Sequence, residues 1–264
     1  MKVSIITINL NNLRGLRKTL ESVLAQDGSL YEWIVIDGGS IDGSRELIEQ
    51  NQNKIAYWVS ELDNGIYEAM NKGLNHATGD YLLFLNSGDA LHDREIITSF
   101  TLLQPTADVV YGNAVIVDNN GRELSRYIAP EKLYLSYFWN HTINHQATFI
   151  AKRCFYRFRY NEQNRIASDV ELFMQLMFHG YSFEKWDRFV VMFESGGLSS
   201  QKHEDEFPGI VDRLLPSGIK ADYQEIIQNR DVDLYILIRK IITSKRWVRN
   251  AARLVLLPFR LLLK

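Results

Sequence analysis

Val3-Ser4-Ile5-Ile6-Thr7-Ile8-Asn9 decides how the rest of the chain is read. Its apolar, mostly β-branched residues run without polar alternation, as in a parallel strand buried on both faces. The run stops in the polar Asn9-Leu10-Asn11-Asn12. Leu13, Leu16, Leu20, Val23 and Leu24 then recur at helical spacing and end before Asp27-Gly28. The alternation continues with a strand over Glu32 to Asp37, a helix over Ser44 to Gln52, a strand over Ile55 to Val59, a helix over Gly65 to Ala77 and a strand over Tyr81 to Asn86. Strands separated by helices of this length predict a parallel, doubly wound α/β sheet. Ligands of such sheets bind beyond the carboxyl ends of the strands, so the polar residues directly after each strand are the candidate functional residues.

After a helix over Asp93 to Leu103 the pattern changes. Val109 to Gly112 and Ala114 to Val117 are short strands, followed by the hairpin-turn signal Asn119-Asn120-Gly121. The aromatic-rich segment from Glu131 to Arg165 contains a strand near Gln146 to Ile150. Ser168 to His179 reads as a helix, opened by Ser168 and Glu171 at capping-box spacing and closed by Gly180. Beyond Pro208 only helices are expected, which divides the chain into residues 1–207 and a basic helical region, residues 208–264.

The 264 residues suffice for one large domain and an appendage, and 46% hydrophobic residues with five prolines indicate a folded chain. The single cysteine, Cys154, excludes an intrachain disulfide and a cysteine-cluster metal site, and fits a reducing compartment. The first strand follows Met1-Lys2 with no secretory signal, so a cytoplasmic location is expected. A net charge of -2 conceals a basic tail: Arg239, Lys240, Lys245, Arg246, Arg249, Arg253, Arg260 and Lys264 stand against the single acid Asp233.

Two carboxylates stand out by position. Asp37 ends a strand before Gly38-Gly39-Ser40, where the backbone can approach a ligand and the carboxylate can accept from a base NH or a ribose hydroxyl. An ordinary turn aspartate is the alternative. Asp89, in Leu85-Asn86-Ser87-Gly88-Asp89, follows another strand, where one carboxylate can hold Mg²⁺ or Mn²⁺ while phosphates and waters complete the shell; a plain polar turn also fits. No dinucleotide-type glycine pattern follows the first strand, which counts against a Rossmann dehydrogenase.

Four segments in order, Ser4 to Asn9, Trp33 to Ser44, Asp63 to Gly73 and Thr78 to Asp89, resemble the family 2 glycosyltransferases, closest to the bacterial enzymes of O-antigen, colanic acid and capsule assembly. The similarity runs over roughly residues 3–200. It implies a GT-A fold, a nucleotide-sugar donor (by resemblance UDP-linked), a divalent metal, Mn²⁺ or Mg²⁺, and inverting transfer to a glycan or lipid-linked acceptor in surface polysaccharide or lipopolysaccharide synthesis. Thr7, Asn9 and Asp37 match positions that hold base and ribose. Asp63, Asn71 and Lys72 match the lining of nucleotide and donor sugar, although Asn71 and Lys72 equally fit a solvated helix face. The family's metal motif departs here, with Asn86 in the first acidic position and Gly88 in the third; only Asp89 keeps a carboxylate, so the metal contact is assigned to Asp89 and Asn86 to the donor.

Asp169, in Ala167 to Leu176, matches the aspartate that deprotonates the acceptor hydroxyl. An acid in a first helical turn is also favoured by the helix dipole alone. His145, Gly197, Ser199 and His203 are weaker candidates for the acceptor or diphosphate, with the glycines near Gly197 suited to a closing loop.

The tail alternates cations with Leu234, Ile238, Trp247 and Leu254 to Leu257. Its apolar stretches are too short and too charged to span a bilayer and suit a helix lying on an anionic membrane; packing on the body or in a homodimer is the alternative. A noncatalytic nucleotide-sugar-binding assembly protein and a nucleotidyltransferase are the competing functions. The second should carry a glycine-rich phosphate loop after the first strand, and none is present. Nucleic acid is not an expected partner, because the basic residues lie in one leucine-rich tail.

Overall fold

A computed structural model describes residues 1–139, 141–197 and 206–215. The chain forms two compact units, Met1–Ile210 and Val211–Lys264. In the first, β1 (Val3–Asn9), β2 (Tyr31–Asp37), β3 (Tyr57–Ser60) and β4 (Tyr81–Phe84) are parallel and ordered β3-β2-β1-β4. The connecting helices are α1 (Leu13–Leu24), α2 (Ser44–Gln50) and α3 (Ile66–His76). The unbroken apolar runs of β1, β2 and β4 are buried along almost their whole length, as expected where helices cover both faces.

The sheet then changes character. After β5 (Ala90–Leu91) and α4 (Ile96–Leu103), the chain adds β6 (Val109–Val117), β7 (Glu123–Tyr127), β8 (Thr148–Ala151), α5 (Ser168–Phe178) and β9 (Phe183–Glu194). β8 lies antiparallel between β4 and β6, β7 is antiparallel to β6, and β9 runs parallel to β6 while pairing antiparallel with β5. The result is a parallel N-terminal half joined to a mixed C-terminal half in one nine-stranded sheet.

Three local expectations are corrected. The two short strands expected around Gly112 are one strand, because a Cβ at Gly112 would lie 2.6 Å from Val190 and 2.9 Å from the Arg188 carbonyl. Gly112 thus permits close approach of β9 rather than breaking β6. The strand expected near Gln146 to Ile150 begins at Thr148, because His145–Ala147 form a 3₁₀ turn capped by the Asn144 side chain. The capping box at α5 is not formed. Ala167 is the N-cap, Ser168 accepts from the Asn161 amide, and Glu171 accepts from the Asn161 and Asn164 side chains. The Glu206 carboxylate instead receives the amides of Arg165, Ile166 and Ala167 ahead of the helix.

Phe207–Leu214 is helical. The remainder of the tail, including residues 233–264, lies outside the described residues. Among the described residues no helix is long and apolar enough to cross a membrane.

Candidate active site

The carboxyl ends of β1 and β4, the start of α3, the β6–β7 turn and the end of β9 enclose a cleft of about 860 Å³. Asn9, Asp63, Asn86, Asp89, His145 and Gly197 line it, so six of the sequence candidates converge.

On the donor side the organising group is Asp37, which is fully buried. Its Oδ1 accepts from Asn9 Nδ2 (2.7 Å) and Ser40 Oγ (2.6 Å), and its Oδ2 from the Ser40 amide (2.9 Å) and Ser60 Oγ (2.6 Å). Asp37 therefore positions Asn9 rather than lining the cleft. The absence of a Cβ at Gly38 lets the Asp63 carboxylate pack there, since a Cβ would stand 2.7 Å from Asp63 Oδ2. Burial raises the Asp63 pKa, opposed by the Gly65 amide and Lys72 and reinforced by Glu68 and Asp37.

Three residues expected at the donor are turned elsewhere. Thr7 is fully buried and accepts from Trp33 Nε1 at 3.0 Å, because alternate residues of β1 face the layer beneath the sheet. Asn71 is buried and ties α3 to the Tyr160 backbone and to Glu162, which makes it a structural brace. Lys72 pairs with Glu61 (2.9 Å) and Glu68 (3.1 Å) on the outer side of α3. None of the three lines the cleft.

The loop after β4 is held from α1. Thr19 Oγ1 donates to the Asp89 carbonyl (2.6 Å) and accepts from the Gly88 amide (3.1 Å), and Asn12 Nδ2 donates to the Ser87 carbonyl (3.1 Å). This places Asp89 in the cleft with its Oδ1 accepting from the Glu194 amide at 2.9 Å. Burial pushes the Asp89 carboxyl up to about 7, with the Glu194 amide, His145 and Lys18 opposing and the Glu194 charge adding. The Oδ1 atoms of Asn9 and Asn86 are buried without a hydrogen-bond partner, although both residues line the cleft. Unsatisfied buried acceptors at a cleft are open to a ligand NH or OH.

His145 sits between the two carboxylate regions. Its Nδ1 lies 3.2 Å from Asp169 Oδ2 and its Nε2 3.4 Å from Asn86 Nδ2. Asp169 is 7% exposed and its carboxylate meets the His145 ring. Ser199 and His203 lie outside the described residues.

Sequence reasoning missed Glu194, Asp118, Asn119, Asn12 and Tyr67, all of which line the cleft. Asn119 carried a turn signal with Asn120-Gly121, and Glu194 a strand end before Gly196, but neither signal says which loop faces the parallel strands. Lys18 pairs with Glu194 at 3.0 Å. Four acids, Asp63, Asp89, Asp118 and Glu194, line the cleft, and no lysine or arginine among the described residues does.

The comparisons with known proteins bear on this arrangement. The Glycosyl transferase family 2 model matches residues 4–165. The chain belongs to that family. It is 46% identical over 96 residues to an uncharacterized glycosyltransferase of Mycobacterium tuberculosis (strain CDC 1551), a match covering 36% of this chain and 37% of that relative's length. It is 28% identical over 213 residues to a PGL/p-HBAD biosynthesis glycosyltransferase of Mycobacterium bovis (strain BCG), covering 77% of this chain and 81% of the relative. Among solved structures, S. aureus TarS 1-349 in complex with UDP-GlcNAc superposes with a TM-score of 0.69 at 16% identity, covering 94% of this chain and 78% of TarS 1-349. The mannosyltransferase PcManGT from Pyrobaculum calidifontis, in complex with GDP-Man and Mn²⁺, gives 0.57 at 16% identity, covering 75% and 58% of the two chains. The fold is that of the GT-A glycosyltransferases, with the described C-terminal residues helical.

The raised Asp89 pKa carries a stability consequence. A carboxyl that ionises at 3.8 when unfolded and at about 7 when folded contributes stability that is fully present below pH 3.8 and is lost as pH rises through 7. Asp89→Asn keeps an acceptor for the Glu194 amide and carries no charge. Its stability should match the wild type near pH 4 and exceed it near pH 8 by on the order of 3 kcal/mol, measured by denaturant unfolding at both pH values. Equal stabilities at the higher pH would show that the buried charge is not penalised.

Proposed function

We propose that this chain is an inverting, metal-assisted glycosyltransferase. It would move a sugar from a nucleotide-sugar donor, a UDP-sugar, to a hydroxyl of a glycan or lipid-linked acceptor in bacterial surface polysaccharide synthesis. The observation that carries the reading is the composition of the cleft: four acids, no described cation, and two unsatisfied amide oxygens beneath them. Such a lining repels a bare nucleoside diphosphate and accepts one that arrives with a divalent cation.

The residues present fit Mn²⁺ or Mg²⁺. Among the described residues no group of three or more His, Cys, Asp or Glu could hold a metal by itself, so Asp89 would be the protein contact and donor phosphates and waters would supply the other ligands. Bound there, the ion would neutralise the departing diphosphate. Asn9 serves base and ribose, Asp63 the nucleotide and donor sugar, Asn86 the donor, and Asp37 holds Asn9 in place. His145, Gly197, Ser199 and His203 remain proposals for the acceptor or the diphosphate. The reading is supported by family membership and by the UDP-GlcNAc and GDP-Man complexes of the two neighbours.

Inverting transfer requires a proton acceptor on the face opposite the leaving group. Asp169 is the group proposed to take the acceptor proton. A panel of UDP- and GDP-sugars, with and without Mn²⁺, should include one that binds saturably in a metal-dependent way; no binding by any of them would overturn the reading. Asp169→Asn should bind that donor as the wild type does and lose turnover by roughly 10²-fold or more. A collapse of donor affinity instead would make Asp169 a binding residue.

The tail, residues 233–264, is proposed to rest on an anionic membrane surface. Each cation near such a surface contributes about 1 kcal/mol, and apolar side chains add to it. The full chain should sediment with anionic lipid vesicles at low salt, and a chain lacking these residues should not. Failure of the full chain to sediment favours packing or dimerisation as the tail's role.

A further inference from the structure

Three side chains from separate elements form one hydrogen-bonded row at the cleft. Asp169 stands in the first turn of α5, His145 on the 3₁₀ turn ahead of β8, and Asn86 in the loop after β4. The His145 and Asp169 side chains are 15% and 10% exposed and meet at 3.2 Å, Nδ1 to Oδ2, while His145 Nε2 lies 3.4 Å from Asn86 Nδ2. Each member is also held from its own side. Asp169 Oδ1 accepts from the Val170 amide (2.9 Å), Asn144 caps the His145 turn by accepting from the Ala147 amide (2.9 Å), and Thr19 Oγ1 lies 3.2 Å from the Asn86 carbonyl.

The row has one self-consistent polarity. A carboxylate only accepts, so the neutral ring that faces it carries its proton on Nδ1 and a lone pair on Nε2. That lone pair can be met only by the NH₂ end of the Asn86 amide, which turns Asn86 Oδ1 away from the ring. Oδ1 is buried there with no protein partner.

We infer that His145 is a positioning residue for two groups at once. It orients the Asp169 carboxylate for the acceptor proton, and it holds Asn86 so that Oδ1 takes a hydroxyl or N–H hydrogen of the donor. The inference rests on the transferase reading above and joins its acceptor side to its donor side through one ring, a role distinct from contact with the acceptor or the diphosphate. The ring itself exchanges no proton. The acceptor proton passes to Asp169, through a lone pair used by neither Nδ1–H nor the Val170 amide, as the acceptor oxygen bonds to the anomeric carbon. The bond from that carbon to the phosphate oxygen breaks, and its electron pair leaves with the nucleoside diphosphate.

Two substitutions in the full chain separate the two ends of the ring. The side-chain amide in His145→Asn reaches about as far as Nδ1 does, and that in His145→Gln about as far as Nε2, so the first keeps a donor for Asp169 and the second a contact for Asn86. With the panel sugar that the wild type cleaves, His145→Asn should release nucleoside diphosphate at saturating donor at least about tenfold faster than His145→Gln. It should bind that donor about tenfold more weakly than His145→Gln does. A merely structural role would lower both quantities together in both variants. In wild-type protein carrying ¹⁵N-labelled histidine, at about pH 8, above the ordinary imidazole range, the His145 signals are assigned by their loss in either variant and should show a proton on Nδ1 and none on Nε2. An equal, absent or reversed split between the variants would overturn the inference, and so would a wild-type ring protonated on Nε2. If the wild type cleaves no nucleotide sugar, the transferase reading fails, and the tautomer alone decides whether His145 joins Asp169 to Asn86.

Discussion

A carboxyl group with zero exposure is costly unless its oxygens are met by donors, and Asp37 meets that condition by drawing together the carboxyl ends of three adjacent strands. Asn9 comes from the end of β1, Ser40 from the loop after β2 and Ser60 from the end of β3. Ser40 also accepts from the Asn11 amide (2.7 Å), which fixes the chain just before α1. The donor half of the cleft is shaped by this requirement. Asn9 is committed through its Nδ2 and leaves Oδ1 unmatched, and Gly38, next in sequence to Asp37, leaves the space that Asp63 enters.

The other half follows from the change of strand direction after β4. Placing β8 antiparallel beside β4 brings the His145 turn to the same sheet edge as Asn86, and the parallel pairing of β9 with β6 carries Glu194 to Asp89. The consequence is electrostatic. Glu194 is balanced by Lys18, whereas burial holds Asp89 near neutrality with only its amide contact and more distant positive charge to oppose it. A buried acid poised in this way gains charge when a cation arrives, so on the proposed reading metal binding and Asp89 ionisation would be coupled.

How much of this was legible depended on the range of the interactions. The four parallel strands, their helices, and the placement of Asn9, Asp37, Asp63, Asn86 and Asp89 after them could be read because a buried strand and an amphipathic helix leave their periods in consecutive residues. Asp37 was legible as important, yet its role as an anchor rather than a ligand was not. Thr7, Asn71 and Lys72 occupied the right segments and pointed the wrong way. One residue of phase in a strand or helix separates a cleft wall from the core, and Trp33, Tyr160, Glu61 and Glu68, which set that phase, lie elsewhere in the chain.

The sequence by itself determined the class of the fold, the family, and the strand ends that line the cleft, because each depends on local pattern. Only the tertiary structure decided that Gly112 joins two strands rather than ending one, that Glu206 and not Ser168 serves the backbone ahead of α5, and that His145 meets Asp169. These outcomes turn on pairs separated by tens of residues, such as His145 with Asp169 and Asp89 with Glu194. No period or motif encodes such a distance; it is set when the mixed half of the sheet closes against the parallel half and each buried polar group must find its partner.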